Sequence, residues 1–303
     1  MITYVDCDLF LSPARVLVNT VNTVGVMGKG LAKDFKAIYP EMFQEYQDLC
    51  ERGLFDIGRL WLYRSPNKSV LNFPTKRHWR NPSKPEYIED GLRKFADAYS
   101  VYGITSISFP RLGCGNGELD WERQVRPLME RYLNKLPVSI YVHVPSWTRA
   151  VTPEHTDIDA VRQWLRSEPQ SLAFGELWDD LQKMSSTIVM EHSQESLRIR
   201  VDNAVMTIER EQGHLAFQKE SLLDLWQQLR LSGFVSAESM PHELEEHSEY
   251  VIAVLGSLPY IKPVGMRTVG GRGKGLGLRL APRVGTAQVV GPTRVEASVV
   301  QVR

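Results

Sequence analysis

Residues 19–30 have the sequence Asn-Thr-Val-Asn-Thr-Val-Gly-Val-Met-Gly-Lys-Gly (the first glycine loop), and residues 110–117 have the sequence Pro-Arg-Leu-Gly-Cys-Gly-Asn-Gly (the second glycine loop). Each loop follows a short apolar run of the kind that forms a buried strand. Small residues let backbone N–H groups approach an anion closely, and a helix beginning at such a loop adds a favourable dipole. Neither loop is a Walker A or G-x-G-x-x-G motif, and each alone is most simply a tight turn. Two such loops at strand ends of one α/β unit favour a pyrophosphate clamp.

Apolar runs and helical patterns alternate on both sides of these loops. The patterns predict strands at 2–5, 16–19, 60–63, 69–73, 106–109 and 138–144, and helices at 30–52, 86–102 and 122–136. Strands that alternate with helices of this length predict a layered α/β fold. Pro145 and the Thr152-Pro153 pair place the end of this domain near residue 150.

The remaining chain is predicted to form a smaller α+β domain at 151–265 and a basic tail at 266–303. The 151–265 segment has helical patterns at 156–166, 174–184, 221–231 and 244–258, and short strands at 188–190, 197–201 and 205–209. A winged-helix-like arrangement is one form that this mixture can take. Gly, Val and Arg dominate from Met266 onward, which predicts a poorly ordered segment that either contacts nucleic acid or has no binding role.

The formal charge of zero conceals three regions of different charge. The net charge is +4 over residues 1–150, −10 over residues 151–265 and +6 over residues 266–303. The acidic middle segment is either an ordinary solvated surface or a surface for a basic partner.

Composition excludes several classes of protein. No apolar run approaches 18 residues, which argues against a membrane span, and the N-terminus lacks the basic region of a secretory signal. The three cysteines, Cys7, Cys50 and Cys114, are widely spaced and predict neither a disulfide framework nor a zinc ribbon. The histidines show no metal-binding spacing. We therefore expect a cytoplasmic protein without a metal site.

Four stretches of the first 147 residues resemble a macrodomain of the DarG type. They are 8–10 (Asp-Leu-Phe), the first glycine loop, 72–79 (Asn-Phe-Pro-Thr-Lys-Arg-His-Trp) and 112–117 (Leu-Gly-Cys-Gly-Asn-Gly). DarG is an antitoxin that removes ADP-ribose from thymidine bases in DNA, and its subgroup includes the terminal ADP-ribose protein glycohydrolase. The resemblance implies a three-layer α/β/α macrodomain with a mixed sheet. It also implies that ADP-ribose is a substrate and that no cofactor is needed.

The resemblance also implies roles for individual residues. Lys76 matches the catalytic lysine of the subgroup, whereas without the resemblance it is an ordinary solvated lysine. A lysine nucleophile needs a lowered pKa, which Arg77 and His78 are candidates to supply. Trp79 and His78 are candidates to flank a flipped-out base. The residues expected to bind ADP-ribose are Asp8, Leu9, Asn19, Asn22, Thr23, Val26, Met27, Gly28, Lys29, Gly30, Leu112, Gly113, Cys114, Gly115, Asn116 and Gly117.

At one position the sequence differs from the subgroup member that acts on ADP-ribosylated proteins. The terminal ADP-ribose protein glycohydrolase has an aspartate where this sequence has Gly117, while DarG sequences share the glycine. The departure favours ADP-ribosylated single-stranded DNA as the substrate. Removal of ADP-ribose from protein carboxylates and binding of ADP-ribose without turnover remain as alternatives. Asp120 is interpreted as the N-cap of the helix that follows.

The acidic segment receives its expected partner from the same resemblance. In DarG proteins the C-terminal half neutralises the toxin DarT, which recognises DNA. A cognate DarT-like toxin is therefore the partner expected for residues 151–265, through an acidic surface that mimics DNA.

Overall fold

The computed structural model of the protein describes residues 2–145, 153–184, 187–189, 196–267 and 274–281. The first half contains six strands and four helices in alternation. The strands are β1 (Ile2–Val5), β2 (Val16–Val21), β3 (Trp61–Tyr63), β4 (Ser69–Pro74), β5 (Ser106–Phe109) and β6 (Ser139–His143). The helices are α1 (Gly30–Ile38), α2 (Pro40–Glu51), α3 (Pro85–Ala98) and α4 (Arg126–Leu133).

The six strands form one mixed sheet in the order β1-β6-β5-β2-β4-β3. Only β3 runs antiparallel to its neighbour, and the other pairings are parallel. The carboxyl ends of β2, β4, β5 and β6 therefore meet at one edge of the sheet, where open α/β sheets bind their ligands.

The two faces of the sheet are covered by different helices. Along β2, Val16 and Val18 face the apolar core beneath α3 and α4, while Leu17 and Val21 face the core beneath α1 and α2. This alternation follows from the period of two in a strand that is buried on both faces. The predicted three-layer α/β/α fold with a mixed sheet is confirmed.

A single helix was the expectation for residues 30–52, and this was wrong. The helix breaks at Tyr39, whose φ of −127° and ψ of 69° lie outside the helical region, and α2 begins at Pro40. Proline disfavours the helical conformation in the residue before it and is itself well suited to the first turn of a new helix.

The second half contains short helices and antiparallel strands. The helices are α5 (Ile158–Ser167), α6 (Phe174–Lys183), α7 (Lys219–Ser232), α8 (His242–Glu245) and α9 (Ser248–Gly256). One sheet pairs β7 (Thr187–Val189), β8 (Ser196–Val201), β9 (Val205–Arg210) and β10 (Gly213–Gln218). A second sheet pairs β11 (Phe234–Ser236), β12 (Ile261–Arg267) and β13 (Lys274–Leu280). This arrangement is compatible with the expected α+β domain, and the winged-helix form stays a prediction.

The prediction of a poorly ordered tail from residue 266 was wrong for the residues that the structure describes. β12 and β13 pair antiparallel, and Leu278 and Leu280 are buried on either side of exposed Arg279. Gly277 is a packing position, since an added Cβ would lie 2.4 Å from the Val235 carbonyl oxygen of β11. The glycines thus permit close strand packing. The rest of the predicted tail, 268–273 and 282–303, lies outside the described residues.

The two halves pack against each other. Val26 and Trp79 of the first half belong to the same apolar cluster as the core of the second half. Arg80 pairs with Glu176 at 2.5 Å and with Asp179 at 2.9 Å, both on α6. The parts of the chain on either side of the predicted boundary near residue 150 therefore share an apolar and ionic interface, and the division into two domains stays a prediction.

Candidate functional site

A cleft of about 800 Å³ lies at the carboxyl ends of the parallel strands. It is bounded by the first glycine loop, the second glycine loop and the residues after β4 and β6. Twelve of the sixteen expected ligand-binding residues line it, and Lys76 lies in it as well. The twelve are Asp8, Leu9, Asn22, Val26, Gly28, Lys29, Gly30, Gly113, Cys114, Gly115, Asn116 and Gly117.

The other four expected residues do not line the cleft. Asn19 is fully buried in β2 and donates to Asn72 Oδ1 at 3.0 Å. Met27 and Leu112 point into the two apolar cores. Thr23 donates its hydroxyl to the Arg77 carbonyl oxygen at 2.7 Å. These side chains hold the loops in place, and a loop contributes only some of its residues to the site it forms.

Asn22 organises the first glycine loop from within. Its amide nitrogen donates to the Val26 carbonyl oxygen at 2.6 Å, and its amide oxygen accepts from the Val24 backbone N–H at 3.0 Å. The Tyr46 hydroxyl donates to the Asn22 carbonyl oxygen at 2.8 Å. These bonds within the loop occupy much of the amide's capacity for hydrogen bonds, which leaves less of it for the contact with ADP-ribose that the resemblance implied.

The two glycine loops meet across the cleft. Gly30 has a φ of +56°, and an added Cβ there would lie 3.1 Å from Asn116 Nδ2 of the second loop. Asp8 lies beside the first strand, where its carboxylate accepts from the Phe10 backbone N–H at 2.9 Å and so caps the turn Leu9–Leu11. The cap and a ligand contact are compatible, because Asp8 also lines the cleft.

Lys76 follows β4, and its side chain is buried where it enters the cleft. Only 5% of the residue is exposed, and within the described part of the chain its Nζ has no hydrogen-bond partner. Burial lowers the pKa of Lys76, while the carboxylates of Glu154 and Glu118 partly oppose that shift. A buried amine with a lowered pKa has the properties that a lysine nucleophile requires.

The neighbours of Lys76 in sequence do not supply this shift in the expected way. Arg77 points to the surface, where it pairs with Asp56 at 3.1 Å. Burial, assisted by Arg80, lowers the pKa of His78 to about 4, so that its ring is neutral near pH 7. Trp79 is fully buried, and its Nε1 donates to Glu176 at 3.1 Å. Trp79 therefore anchors the second half and is not available to stack on a base.

Glu154 also lines the cleft, and it was not predicted from the sequence. It lies in the turn Glu154–Thr156, only 6% exposed, and its Oε2 is 3.8 Å from Lys76 Nζ. Burial raises the pKa of Glu154, against the opposing effects of Lys76, Lys29 and His155. No sequence motif marks this glutamate, because it belongs to the second half and reaches the cleft only through the packing of the domains.

Other residues of the second half enclose the same region. The ring of Trp164 on α5 lies against Gly28, so that an added Cβ there would be 2.8 Å from the indole. His155 Nε2 contacts Oε2 of Glu118, the residue after the second glycine loop, at 2.8 Å. Thr75, Arg111 and His143 also line the cleft without having been predicted.

The remaining sequence candidates have structural environments of their own. Cys114 lines the cleft, but burial raises the pKa of its thiol to about 12, so it is not a thiolate nucleophile. Asp120 caps the helical turn Trp121–Val125, as interpreted from the sequence. Among the described residues, no group of three or more His, Cys, Asp or Glu side chains could hold a metal ion. No helix in the described ranges is both long and apolar enough to cross a bilayer.

A mixed, mostly parallel sheet between helix layers, with glycine loops around a cleft at its carboxyl edge, is the architecture of the macrodomain class. The macrodomain family model matches residues 18–128. The chain is 31% identical over 147 residues to an ADP-ribose glycohydrolase of Bos taurus, covering 47% of this chain and 90% of that protein. The chain therefore belongs to the macrodomain family.

Other relatives match the DarG subgroup. The chain is 43% identical over 150 residues to a DNA ADP-ribosyl glycohydrolase of Thermus aquaticus, covering 48% of this chain and 41% of that protein. It is 39% identical to a DNA ADP-ribosyl transferase–DNA ADP-ribosyl glycohydrolase fusion protein of Thermosipho africanus, covering 48% and 42%. The solved macrodomain of Mycobacterium tuberculosis DarG is 44% identical, with a TM-score of 0.47, and the match covers 48% of this chain and 99% of that one. The resemblance to DarG-type macrodomains is confirmed.

These matches cover only part of the proteins involved. The chain spans about two fifths of the length of the Thermus aquaticus and Thermosipho africanus relatives.

Proposed function

We propose that this protein is a hydrolase that removes ADP-ribose from thymidine bases of single-stranded DNA. The observation that carries the proposal is Lys76, a buried amine without a hydrogen bond in the described structure, in a cleft between two glycine loops. The relatives named as DNA ADP-ribosyl glycohydrolases support the same substrate.

The glycine loops would hold the pyrophosphate, and Asp8 would accept a hydrogen bond from the adenine amine. The neutral amine of Lys76 would attack the anomeric carbon of the distal ribose. A bond from Nζ to this carbon forms as the bond to the base nitrogen breaks, and the base leaves with the electron pair. Water then releases ADP-ribose from the lysine. Since only the unprotonated amine attacks, the lowered pKa of Lys76 increases the reactive fraction at a given pH.

Gly117 supports DNA over a protein carboxylate as the substrate. An added Cβ at this position would lie 2.2 Å from Ser83 Oγ and 2.4 Å from the Gly113 carbonyl oxygen. The second glycine loop therefore has no room for the aspartate that the protein-directed enzyme carries there. A reader without turnover would not need a buried, desolvated lysine.

The second half is proposed to bind and inhibit a DarT-like toxin. The net charge of −10 over residues 151–265 supports a basic partner. The fusion of a transferase with a glycohydrolase in the Thermosipho africanus relative is consistent with such a pair.

Replacement of Lys76 by alanine tests the hydrolase. We expect Lys76→Ala to abolish release of ADP-ribose from thymidine-modified single-stranded DNA, measured by the mobility of the oligonucleotide on a gel. Binding of free ADP-ribose should persist at micromolar Kd, of order −8 kcal/mol, because the loops that hold the pyrophosphate are intact.

Lys94→Ala is the matched control, since Lys94 is exposed on α3 and does not line the cleft. Full activity of Lys76→Ala would contradict the lysine mechanism. Binding without release by the unaltered protein would favour the reader, and release from ADP-ribosylated glutamate but not from DNA would favour the protein-directed enzyme.

A further inference from the structure

The contact between Glu154 and Lys76 joins the two halves of the chain inside the cleft. The Lys76 side chain is 7% exposed and the Glu154 side chain is 8% exposed, and Lys76 Nζ lies 3.8 Å from Glu154 Oε2. A buried carboxylate has lost its hydration, so it is stabilised by a nearby cation or by protonation. A buried ammonium group is likewise stabilised by a nearby anion or by loss of its proton. The pair is therefore suited to share one proton.

The segment that carries Glu154 is held on the macrodomain at several points. His155 contacts Glu118, which directly follows the second glycine loop, and Trp164 lies against Gly28 of the first glycine loop. Farther along, Lys36 Nζ lies 3.5 Å from Glu168 Oε2 and donates to Ser171 Oγ at 2.7 Å. Contacts on both sides of the cleft place Glu154 at a defined position beside Lys76.

We propose that Glu154, supplied by the second half of the chain, is the positioning residue that accepts the proton of the Lys76 ammonium and thereby completes the active site. The inference rests on the proposed glycohydrolase function. It fills the role left open by Gly117, because the second glycine loop offers no carboxylate at that position.

The proton inventory of the step balances without a further reactant. The ammonium gives one proton to Glu154, and the neutral amine attacks the anomeric carbon. The base takes the electron pair of the broken bond and the proton that the new secondary ammonium releases. Water hydrolyses the lysine adduct to ADP-ribose and free amine, and the carboxylic acid of Glu154 returns its proton to that amine.

The surrounding charges oppose the transfer that burial favours. Glu118, which follows the second glycine loop, raises the pKa of Lys76, while Lys29 of the first glycine loop and His155 lower the pKa of Glu154. Burial favours the neutral member of each couple, lowering the pKa of Lys76 and raising that of Glu154. Transfer of the proton from amine to carboxylate is thus less costly in the cleft than in water.

The test uses the full chain with Glu154→Gln, which keeps the size of the side chain and removes its charge. We expect kcat for release of ADP-ribose from modified single-stranded DNA to fall at least about 100-fold, the lower range for loss of acid–base assistance. The Kd for ADP-ribose should change less than threefold. The pH profile provides a readout that a structural role would not move. The unaltered protein should show a plateau near neutral pH, whereas Glu154→Gln should retain only a limb that rises with pH.

Two further variants make the test specific. Asp159→Asn removes a carboxylate of α5 that is 96% exposed and does not line the cleft, and it should leave kcat unchanged. Glu154→Asp keeps the charge and should be more active than Glu154→Gln. Thermal unfolding midpoints within 2 °C of the unaltered protein, an interval of about 1 kcal/mol or less for this size, would show that folding is retained.

Outcomes that overturn the inference differ from those that overturn the function. Unchanged kcat in Glu154→Gln, with Lys76→Ala inactive, leaves the hydrolase and removes Glu154 from it. A higher kcat in Glu154→Gln would identify the contact as an inhibitory plug. Activity in Lys76→Ala would instead remove the function on which the inference rests.

Discussion

At the scale of single residues, the second glycine loop is determined by close backbone packing. The Gly117 carbonyl oxygen accepts from the Ser83 backbone N–H at 3.0 Å, and the Gly113 carbonyl oxygen accepts from the Leu119 backbone N–H at 3.0 Å. Together with the short approach of Ser83 Oγ, these bonds leave no volume for a side chain at Gly117. In the sequence, a glycine at this position favoured DNA over a protein carboxylate as the substrate. The structure adds a steric reason for the glycine.

Gly117→Ala is expected to destabilise the protein by about 1–3 kcal/mol, the usual cost of overpacking, because the added Cβ would meet the Ser83 side chain and the Gly113 carbonyl oxygen. Urea unfolding measures the loss. Gly115→Ala is the control in the same loop, because an added Cβ there meets no atom within 4 Å in the described structure. Equal stability of the two variants would show that the loop can shift to accept a side chain.

At the scale of elements, helices whose apolar residues repeat at helical spacing could be predicted from the sequence. Features that depend on the packing of a single residue could not. The helix predicted at 221–231 is α7, whose buried residues Leu222, Leu225, Trp226 and Leu229 repeat at helical spacing, and Gly233 ends it with a φ of +78°. By contrast, the glycines of β13 obscured a strand whose apolar residues alternate, because glycine at a close contact looks the same in sequence as glycine in a flexible segment. The position of Glu154 in the cleft could not be predicted either, since it comes from how the two halves of the chain pack.

Asp120 offers a prediction at the same scale. Its carboxylate accepts from the Arg123 backbone N–H at 2.8 Å and caps the turn that leads into α4. Asp120→Ala should therefore lower the free energy of unfolding by about 1 kcal/mol, and Asp120→Ser should restore most of it. Glycohydrolase activity should stay near that of the unaltered protein. Lost activity at unchanged stability would instead assign the carboxylate to the chemistry.

At the scale of the whole molecule, part of the acidic charge of the second half forms ion pairs with the macrodomain of the same chain. Four acidic residues of the second half pair with cations of the first half: Glu154, Glu168, Glu176 and Asp179. In the opposite sense, Arg230 of the second half pairs with Glu51 of the first at 2.6 Å. The acidic side chains that remain exposed, such as those of α8, form the surface available to a basic partner.

The proposed toxin binding predicts that the Lys76→Ala protein still inhibits a separately purified DarT-like transferase at equimolar concentration. Inhibition then reflects binding and not repair. The association rate should fall about tenfold or more between 0.05 M and 0.5 M salt, because screening shortens the reach of charges. Stopped-flow mixing measures the rate. An association rate that is independent of salt, or a Lys76→Ala protein that fails to inhibit, would contradict the electrostatic partner surface.

The indole of Trp164 against Gly28 has a consequence for how the two halves communicate. A pyrophosphate held by the first glycine loop would share its boundary with α5, so any shift of that helix changes the free energy of occupying the cleft. Linkage is reciprocal: a protein that binds the second half and displaces α5 alters the affinity for ADP-ribose by some factor. ADP-ribose must then alter the affinity for that protein by the same factor.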